Sequence, residues 1–456
     1  MEKLWKKQAI TIPTNRSTFR AMIGNFQRQT CWDSAGYVYV ITAENNGAGN
    51  TPRISVYRSI NGNFDLSAGF TFQADTSIAN GYPDDEISAL SEFSAELRNN
   101  RIYIVSTFTM PPSINLGIVL IAYDINTRRF ERIDYRASLT WTPPIQTVGS
   151  VDISLSPRRA HGDIIVSWLE MDSIITPTML ARRYLRDILA SATAPGYGGI
   201  GYSDQVFILP DFIYPCFLSN FRGDNELWGV QKIQDIHIMS LYSIVNLPGE
   251  LLRGSSAGPN EMYLGTSTAE PFGDFKAIYN GKYNIEIMAY WKILPPPGSG
   301  WALEIGIRGQ EGVYETFQLA EFNYSNLGVG NVLADIPYVR PEVLIAVDDQ
   351  GGTYIIASYP SQSSRPLSGT PGPGRIDNPY YNIAMAYWAT DDFNSLDGVN
   401  YETVWNGQAT QTQIRYLSAP DMFPAGDSST IRATKLFFTC VDMLNAPQGQ
   451  VVIYRD

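Results

Sequence analysis

The residue types that most often carry enzyme chemistry are few and scattered in this chain. There are only 2 histidines, His161 and His237, and neither stands beside a recognisable nucleophile turn. A Ser/His/Asp triad and a histidine-based metal centre are therefore disfavoured. The cysteines Cys31, Cys216 and Cys440 form no C-x-x-C pair, so we expect buried thiols rather than a zinc knuckle or a disulfide framework. The sequence predicts no metal site and no cofactor.

Acidic residues cluster in three short runs, 84–86, 348–349 and 391–392. In an extended chain neighbouring side chains point to opposite faces, so adjacency does not build a catalytic carboxylate pair. Acidic turn residues or a weak Ca²⁺ site are the readings that remain. No phosphate loop, dinucleotide fingerprint or EF-hand loop is present in the sequence. No catalytic residue is singled out, and the sequence leaves the binding residues unknown.

Composition excludes several classes of protein. The chain has 456 residues, of which 44% are hydrophobic, 12% aromatic and 17% charged, with a formal net charge of −12. Disordered and coiled-coil proteins carry more charge and fewer aromatic residues. The acidic balance argues against general nucleic-acid binding, which needs a basic surface. Apolar runs stay well below membrane-spanning length, so no membrane insertion is expected, and no secretory segment follows the basic residues 1–7, which predicts synthesis in the cytoplasm without a signal peptide.

The strand pattern is repetitive. Short runs rich in Val, Ile, Tyr, Phe and Trp recur in pairs, and the pairs are spaced by roughly 60–80 residues, the size of a four-stranded propeller blade with its loops. We predict these pairs to be the second and third strands of seven units: 36–41 with 54–57, 101–105 with 118–123, 163–169 with 179–185, 226–233 with 236–244, 283–293 with 302–308, 353–359 with 382–388, and 435–441 with 451–454.

Another short apolar run and a tight polar turn precede each pair, as β-hairpins require. The turns 98–101, 222–225, 279–282 and 349–352 supply Gly, Asn or Asp where a positive φ is needed. The preceding runs are predicted to be the innermost strands of the units: 18–23, 87–93, 151–155, 215–220, 275–279, 343–347 and 430–434.

These patterns predict an all-β chain, a single seven-bladed β-propeller domain over residues 1–456. The last pair ends at the C-terminus with no room for a fourth strand, so residues 8–13 are predicted to close the final blade. Two β-sandwich domains are the alternative, and the segment 178–194 is open between helix and strand. The predicted blades are 14–64, 87–133, 148–189, 213–250, 272–322, 341–404 and 412–456.

Two hairpins resemble the Asp-box turn of sialidase-like propellers. Residues 395–401 (Ser-Leu-Asp-Gly-Val-Asn-Tyr) are similar to a contracted form and 59–64 (Ser-Ile-Asn-Gly-Asn-Phe) to a more degenerate one, while 123–130 keeps only the aromatic spacing. The resemblance implies a structural turn between third and fourth strands. Sialidases also carry arginines that clamp a carboxylate; Arg20 in Phe-Arg-Ala-Met looks like the first of these but lacks the following Pro, which favours an ordinary inner-strand arginine.

Long connections are predicted to gather on one face. They are the second-to-third-strand and blade-to-blade segments, of which 295–300 and 365–374 are rich in Pro and Gly and suit contacts with neighbouring chains. Tyr197, Tyr202, Tyr380, Tyr381 and Trp141 are candidate interface anchors or sugar-stacking residues, although packing roles are more common for aromatics. The full set of long segments is 109–117, 295–301, 361–380, 65–86, 134–150, 190–214, 245–273 and 324–340.

The sequence therefore favours a non-enzymatic structural or interaction protein of a larger assembly. Its general style resembles virion proteins of tailed phages, such as a tail nozzle, an adaptor, or a fibre-attachment or receptor-binding element. The expected partners are other protein chains, further copies of this chain in a homo-oligomer, and a host-surface glycan; the expected location is a virion or another particle. A sialidase-like glycoside hydrolase, a lyase and a glycan-binding propeller are the alternatives.

Overall fold

The chain was obtained as a computed structural model. The residues that it describes are 5–13, 16–18, 28–46, 52–77, 89–110, 115–137, 145–155, 164–172, 178–184, 202–207, 212–221, 224–233, 236–244, 251–253, 261–266, 272–280, 282–283, 285–293, 300–308, 314–323, 341–348, 350–364, 379–388, 399–410, 414–415, 417, 421–422, 436–442 and 449–455.

Seven sheets are found within these residues. In the second, third, fifth and sixth sheets four strands lie side by side in sequence order, and in the first, fourth and seventh sheets two short strands pair with the same neighbour. After β1 (Trp5–Ala9), the first four sheets lie in a unit that spans Ala9–Tyr263. Their strands are β2 (Arg16–Thr18), β3 (Thr30–Trp32), β4 (Val38–Asn46), β5 (Pro52–Ser59) and β6 (Phe70–Ser77); β7 (Ala89–Arg98), β8 (Arg101–Met110), β9 (Asn115–Asp124) and β10 (Arg129–Ala137); β11 (Ile145–Leu155), β12 (Ile164–Asp172), β13 (Thr178–Tyr184) and β14 (Tyr202–Phe207); β15 (Phe212–Phe221), β16 (Asp224–Ile233), β17 (Ile236–Ile244), β18 (Leu251–Arg253) and β19 (Glu261–Thr266).

A second unit comprises Met1–Gln8 and Leu264–Asp456, and it holds the other three sheets. The last sheet has the order β1–β31–β30–β28, so the N-terminal strand is its fourth strand, and a short helix, α1 (Gly407–Thr410), precedes it. The strands of this unit are β20 (Phe272–Asn280), β21 (Ile285–Ile293), β22 (Gly300–Arg308) and β23 (Tyr314–Asn323); β24 (Glu342–Val347), β25 (Thr353–Ser364), β26 (Pro379–Trp388) and β27 (Val399–Asn406); β28 (Ile414–Arg415), β29 (Asp421–Met422), β30 (Leu436–Asp442) and β31 (Gly449–Arg455).

Apolar residues at alternate positions form the core between neighbouring sheets. In β4 the odd-numbered residues Tyr39, Ile41 and Ala43 are buried in one cluster with Phe93 and Ile104 of the second sheet. Since the side-chain period of a strand is two, one whole face of β4 is used in this contact. Equivalent clusters join the fifth sheet to the sixth and the sixth to the seventh. The first sheet is thus buried against the second, the fifth against the sixth, and the sixth against the seventh.

The sheets define two kinds of edge. We call the end of a sheet that carries the first-to-second and third-to-fourth connections its turn edge, and the opposite end, with the second-to-third and sheet-to-sheet connections, its loop edge. A recurrent bulge lies in the first strands of the second to fifth sheets, where pairing shifts between Leu90/Phe93, Gly149/Asp152, Ile213/Cys216 and Phe272/Phe275. Bulges of this kind turn the start of a strand toward a new direction at the rim of a sheet.

The structure confirms the all-β class and the predicted second and third strands of all seven units. The second, third, fifth and sixth sheets each consist of four sequential strands, the arrangement expected of propeller blades. The N-terminal strand of the last sheet is β1, over Trp5–Ala9, so the predicted bounds 8–13 were wrong. Among the described residues, no helix is long and apolar enough to span a bilayer.

Three of the predicted long connections were wrong, because each contains a whole strand; the segment 245–273 contains β18 and β19. Residues 65–86 were predicted to form a loop between blades, whereas β6 begins at Phe70, so the first sheet extends beyond the predicted boundary at residue 64. The segment 190–214 contains β14, and residues 185–201 therefore emerge at the turn edge of the third sheet, not with the other long connections. The segment 178–194, which the sequence left open between helix and strand, begins as the strand β13. The predicted strand 430–434 lies outside the described residues, and β28 and β29 pair with β30 instead.

Candidate functional site

Most residues singled out in the sequence either lie outside the described residues or have only their backbone described. Arg20, His161, Trp141, Tyr197, the acidic runs 84–86 and 391–392, and residues 395–398 are outside the described residues. Only the backbone is described for Cys216, Tyr202, His237, Tyr380 and Tyr381. Cys31 and Cys440 are buried free thiols, as expected, and burial raises the pKa of Cys440 well above its usual value.

Asp33 organises the turn between the first and second strands of the first sheet. Its Oδ1 accepts hydrogen bonds from the backbone amides of Ala35 and Tyr37, both at 3.0 Å, and its Oδ2 accepts one from the Tyr39 hydroxyl at 2.9 Å. Gly36 supplies the positive φ of 73° that closes the turn. Burial, followed by the bond to Asp33, raises the pKa of Tyr39. The carboxylate is therefore fully engaged in holding its own hairpin.

Asp348 repeats this arrangement in the sixth sheet. Its Oδ1 accepts from the amides of Gln350 and Gly352, and its Oδ2 accepts from the Tyr354 hydroxyl at 2.9 Å. Gly351 has a φ of 85°, again three residues after the aspartate. The two turns share the spacing Asp-x-x-Gly-x-x-Tyr. Asp348 is thus a structural turn residue, one of the two interpretations that the sequence left open for this acidic run.

The hairpin that resembles a degenerate Asp-box packs on the Asp33 turn. Ser59 is buried. Its hydroxyl donates a hydrogen bond to the backbone carbonyl of Asn61 and accepts one from the backbone amide of Val38. The amide of Asn63 donates to the carbonyl of Ala35 at 3.0 Å. The connection between third and fourth strands is therefore tied to the connection between first and second strands.

Asp124 caps the corresponding turn in the second sheet. Its Oδ1 accepts from the amide of Thr127 at 2.8 Å, and this bond is the main reason why the pKa of Asp124 is lowered. The amide of Ile125 donates to the carbonyl of Asn100 in the turn between first and second strands. The docking of one turn on the other thus recurs, although residues 123–130 lack the glycine of the Asp-box.

A fully buried carboxylate, Glu44, lies near the loop edge of the first sheet. It accepts hydrogen bonds from the hydroxyls of Thr42 at 2.7 Å, Ser55 at 3.0 Å and Tyr57 at 2.6 Å. These residues share one face of β4 and β5, because Thr42 pairs with Ser55 across the two strands. Arg53 on β5 pairs with Asp75 of β6 at 3.4 Å. The charged side chains on this face therefore find their partners on strands of the same sheet.

Three polar side chains meet near the loop edge of the fifth sheet. The Tyr290 hydroxyl donates to Glu304 Oε2 at 2.5 Å, and the Lys292 ammonium lies 3.4 Å from Glu304 Oε1. Tyr290 is buried, and burial together with Glu304 raises its pKa far above the usual value. A tyrosine that acts as a nucleophile needs a depressed pKa or a base that removes its proton. The environment of Tyr290 stabilises the neutral phenol instead.

Glu342 marks the loop edge of the sixth sheet. Its backbone carbonyl accepts from the indole of Trp291 in the fifth sheet at 3.1 Å, and its backbone amide donates to the Ser358 hydroxyl. Its Oε2 accepts from the amide of Leu417 at 3.3 Å. Glu342 is buried and links three segments of the second unit.

The N-terminal strand is held in the seventh sheet by charged and aromatic side chains. The indole of Trp5 donates to Glu402 Oε1 at 2.7 Å, and Arg455 binds the other oxygen of Glu402, also at 2.7 Å. Lys7 lies 2.9 Å from Asp442, whose side chain is fully buried. No residue of β1 itself is fully buried, so the strand depends on these contacts and on its pairing with β31.

Together, these sites perform structural tasks. The carboxylates of the Asp turns hold hairpins, and those near the loop edges accept bonds from their own or adjacent sheets. Within the described ranges, no group of three or more His, Cys, Asp or Glu residues is placed to hold a metal ion.

No protein-family model matches the chain, and no match was found among curated proteins. Solved structures do resemble it over most of its length. The endosialidase of phage phi92 has 10% identity and a TM-score of 0.45, covering 99% of this chain and 69% of that one. The polysaccharide lyase Uly1 has 9% identity and a TM-score of 0.49, covering 99% of each chain. The β-propeller domain of the trilobed protease from Pyrococcus furiosus has 8% identity and a TM-score of 0.37, covering 78% of each.

These likenesses are too distant to carry an argument about activity. The description of the chain as an all-β protein with several sheets of four sequential strands depends on its own strand pairing.

Proposed function

We propose that the chain is a closed seven-bladed β-propeller that serves as a non-enzymatic interaction component of a larger assembly, the virion of a tailed phage. The observation that carries the proposal is the use of the carboxylates near the loop edges. Glu44 and Glu304 accept hydrogen bonds from neighbouring strands, Glu342 accepts one from the backbone amide of Leu417, and Tyr290 is kept neutral. Their contacts are those of a scaffold.

The long connections supply the contact surface in this proposal. The segment 365–378 leaves the loop edge of the sixth sheet between β25 and β26, and it is rich in Pro and Gly. Proline lowers the entropy that an extended segment loses on binding. A segment of this composition suits strand-like or polyproline contacts with a neighbouring chain. The scarcity of histidine and the acidic, aromatic composition support the virion setting.

The test uses two deletions on opposite edges. In the first, residues 366–377 are replaced by a short Gly-Ser linker; in the control, residues 186–200, at the turn edge of the third sheet, are replaced in the same way. Each tagged variant is expressed in the native source, and assembled particles are isolated. We expect the first deletion to abolish incorporation of the chain into particles and the control deletion to leave it intact.

Two results would overturn the proposal. One is a chain that stays monomeric in the native source and never enters a particle. The other is turnover of a polysaccharide by the purified chain that Glu304→Gln or Glu342→Gln abolishes while the circular dichroism spectrum is unchanged. The second result would move the assignment to a glycan-active enzyme.

A further inference from the structure

The turn edge of the first sheet presents aromatic and amide side chains side by side. We call this surface the turn-edge patch and define it by Trp32, Tyr37, Arg58, Asn63 and Phe64. The Trp32 and Phe64 rings meet edge to face, with centroids 5.3 Å apart and planes at 77°. The Arg58 guanidinium lies over the Tyr37 ring at 4.4 Å. Asn63 is exposed, and Trp32, Tyr37, Arg58 and Phe64 are each partly exposed.

The patch is rigid because two connections interlock beneath it. The amide of Phe64 donates to the carbonyl of Gly36 at 2.8 Å. A Cβ at Gly36 would lie 2.8 Å from Asn63 Cα, which shows how closely the two backbones approach. Gly62 lies against the Tyr37 ring, since a Cβ there would be 3.4 Å from the ring carbon Cζ. The side chains are therefore held in place before any ligand arrives, which lowers the entropy lost on binding.

Two features of the turn-edge patch are energetically unfavourable in the folded chain: a left-handed backbone conformation and a buried nitrogen without a hydrogen-bond acceptor. Asn63 and Phe64 have φ angles of 53° and 58°, in the left-handed region where a bulky aromatic residue is unfavourable and glycine is preferred. The Nε of Arg58 is buried without a hydrogen-bond acceptor. Strained backbone conformations and unsatisfied buried polar groups occur most often at binding or catalytic sites, because each of them lowers the stability of the fold.

We propose that the turn-edge patch binds a carbohydrate chain, with sugar rings stacked on Trp32 and Phe64 and hydroxyl groups bonded to Arg58 and Asn63. A sugar ring has an apolar C–H face and a rim of hydroxyls, which matches aromatic faces bordered by planar polar groups. Asn61 adds to this border, since its amide donates to Asp65 at 2.7 Å on the exposed side of the same turn. The chain's net charge of −12 disfavours a phosphate polymer.

Phe64→Gly is the decisive variant. Glycine suits the observed φ, so the strain that is relieved offsets part of the ring contact with Trp32 that is lost, and the hairpin should still fold without the stacking ring. Asn100→Gly is the matched control, because Asn100 has a φ of 60° in the turn of the second sheet and lies outside the patch. Both variants relieve a left-handed residue, and only the first alters the patch.

Binding is measured by saturation-transfer NMR and calorimetry on the full chain, with hexasaccharides of maltose, cellulose, chitin, arabinan and α2,8-linked sialic acid as probes. We expect at least one probe to bind, Phe64→Gly to weaken it about tenfold, and Asn100→Gly to leave it unchanged. Absence of binding by all five probes would overturn the proposal, as would equal affinity of Phe64→Gly and the unaltered chain. Capture of a proline-rich peptide by the patch in place of every sugar would also overturn it.

Discussion

At the residue scale, the same aspartate geometry occurs in two hairpins, and it makes a direct prediction. Asp348→Ala removes the acceptor of two backbone amides and of the Tyr354 hydroxyl. Hydrogen bonds to a charged group are stronger than neutral ones, so we expect the free energy of unfolding to fall by roughly 2–4 kcal/mol. Urea unfolding followed by fluorescence measures the change. The neighbouring exposed Gln350→Ala should stay within about 0.5 kcal/mol; an equal loss in both would contradict the role of the carboxylate.

The Tyr290–Glu304 pair makes a prediction about pH. Burial and Glu304 raise the pKa of Tyr290 above its usual value of 10.0, so the folded state holds the phenol proton more tightly than the unfolded state. The resulting stability is complete below about pH 10 and is lost as pH rises above that value. Tyr290→Phe should therefore flatten the alkaline decline in unfolding free energy, measured by urea titrations from about pH 8 to about pH 11. Curves for the variant and the unaltered chain that stay parallel over this range would disprove the assignment.

Some of these residues had a signal in the sequence and others had none. The spacing Asp-x-x-Gly-x-x-Tyr occurs at both Asp33 and Asp348, so a search for repeated turn residues finds the hairpin motif. Glu44 carries no such signal, because two of its three hydroxyl donors come from the next strand and meet it only through strand register. A motif that lies within one turn can be recognised from the sequence. A cluster of residues from different strands can be recognised only when the register of strand pairing is known.

At the element scale, hydrogen bonds between the hairpins of neighbouring sheets are expected to stabilise the contact between those sheets. Asn280, at the end of β20, is fully buried; its amide donates to the carbonyl of Gly351 at 2.8 Å, and its Oδ1 accepts from the amide of Lys282. Asn280→Ala should lower the free energy of unfolding by about 2–3 kcal/mol, because buried partners lose their bonds.

The matched control is Asn61→Ala, which removes an exposed amide–carboxylate bond and should cost about 0.5 kcal/mol or less. Chemical denaturation of both variants gives the comparison. Similar small losses in the two would show that the contact between the fifth and sixth sheets contributes little.

Burial explains which elements the sequence predicts. Second and third strands such as β8 and β9 are buried on both faces and are nearly continuous apolar runs, so they are easily recognised. The fourth strand β6 exposes Thr71 and Phe72 and carries Gln73 and Asp75, so its pattern is that of a polar loop. Outer strands contact solvent, and their place in the sheet is set by backbone pairing with β5 rather than by an apolar period.

At the scale of the whole molecule, the N-terminal strand joins the two ends of the chain within one sheet. β1 pairs with β31, and Lys7 reaches the buried carboxylate of Asp442. A closed ring of blades is the arrangement that we propose from this pairing, since closure through a terminal strand removes a free sheet edge.

Deletion of residues 1–9 tests that proposal. The deletion leaves β31 as an edge strand and removes the Lys7 partner of the buried Asp442 carboxylate, and removal of one partner of a buried ion pair costs up to about 3–5 kcal/mol. We expect the midpoint of urea unfolding to fall, the amides of β31 to lose protection in hydrogen exchange, and the chain to aggregate through the exposed edge. Deletion of residues 1–3 alone, which precede β1, should leave all three unchanged. Retained protection of β31 in the longer deletion would mean that the last sheet is stable without its fourth strand, and the N-terminal strand would then have no part in closing the fold.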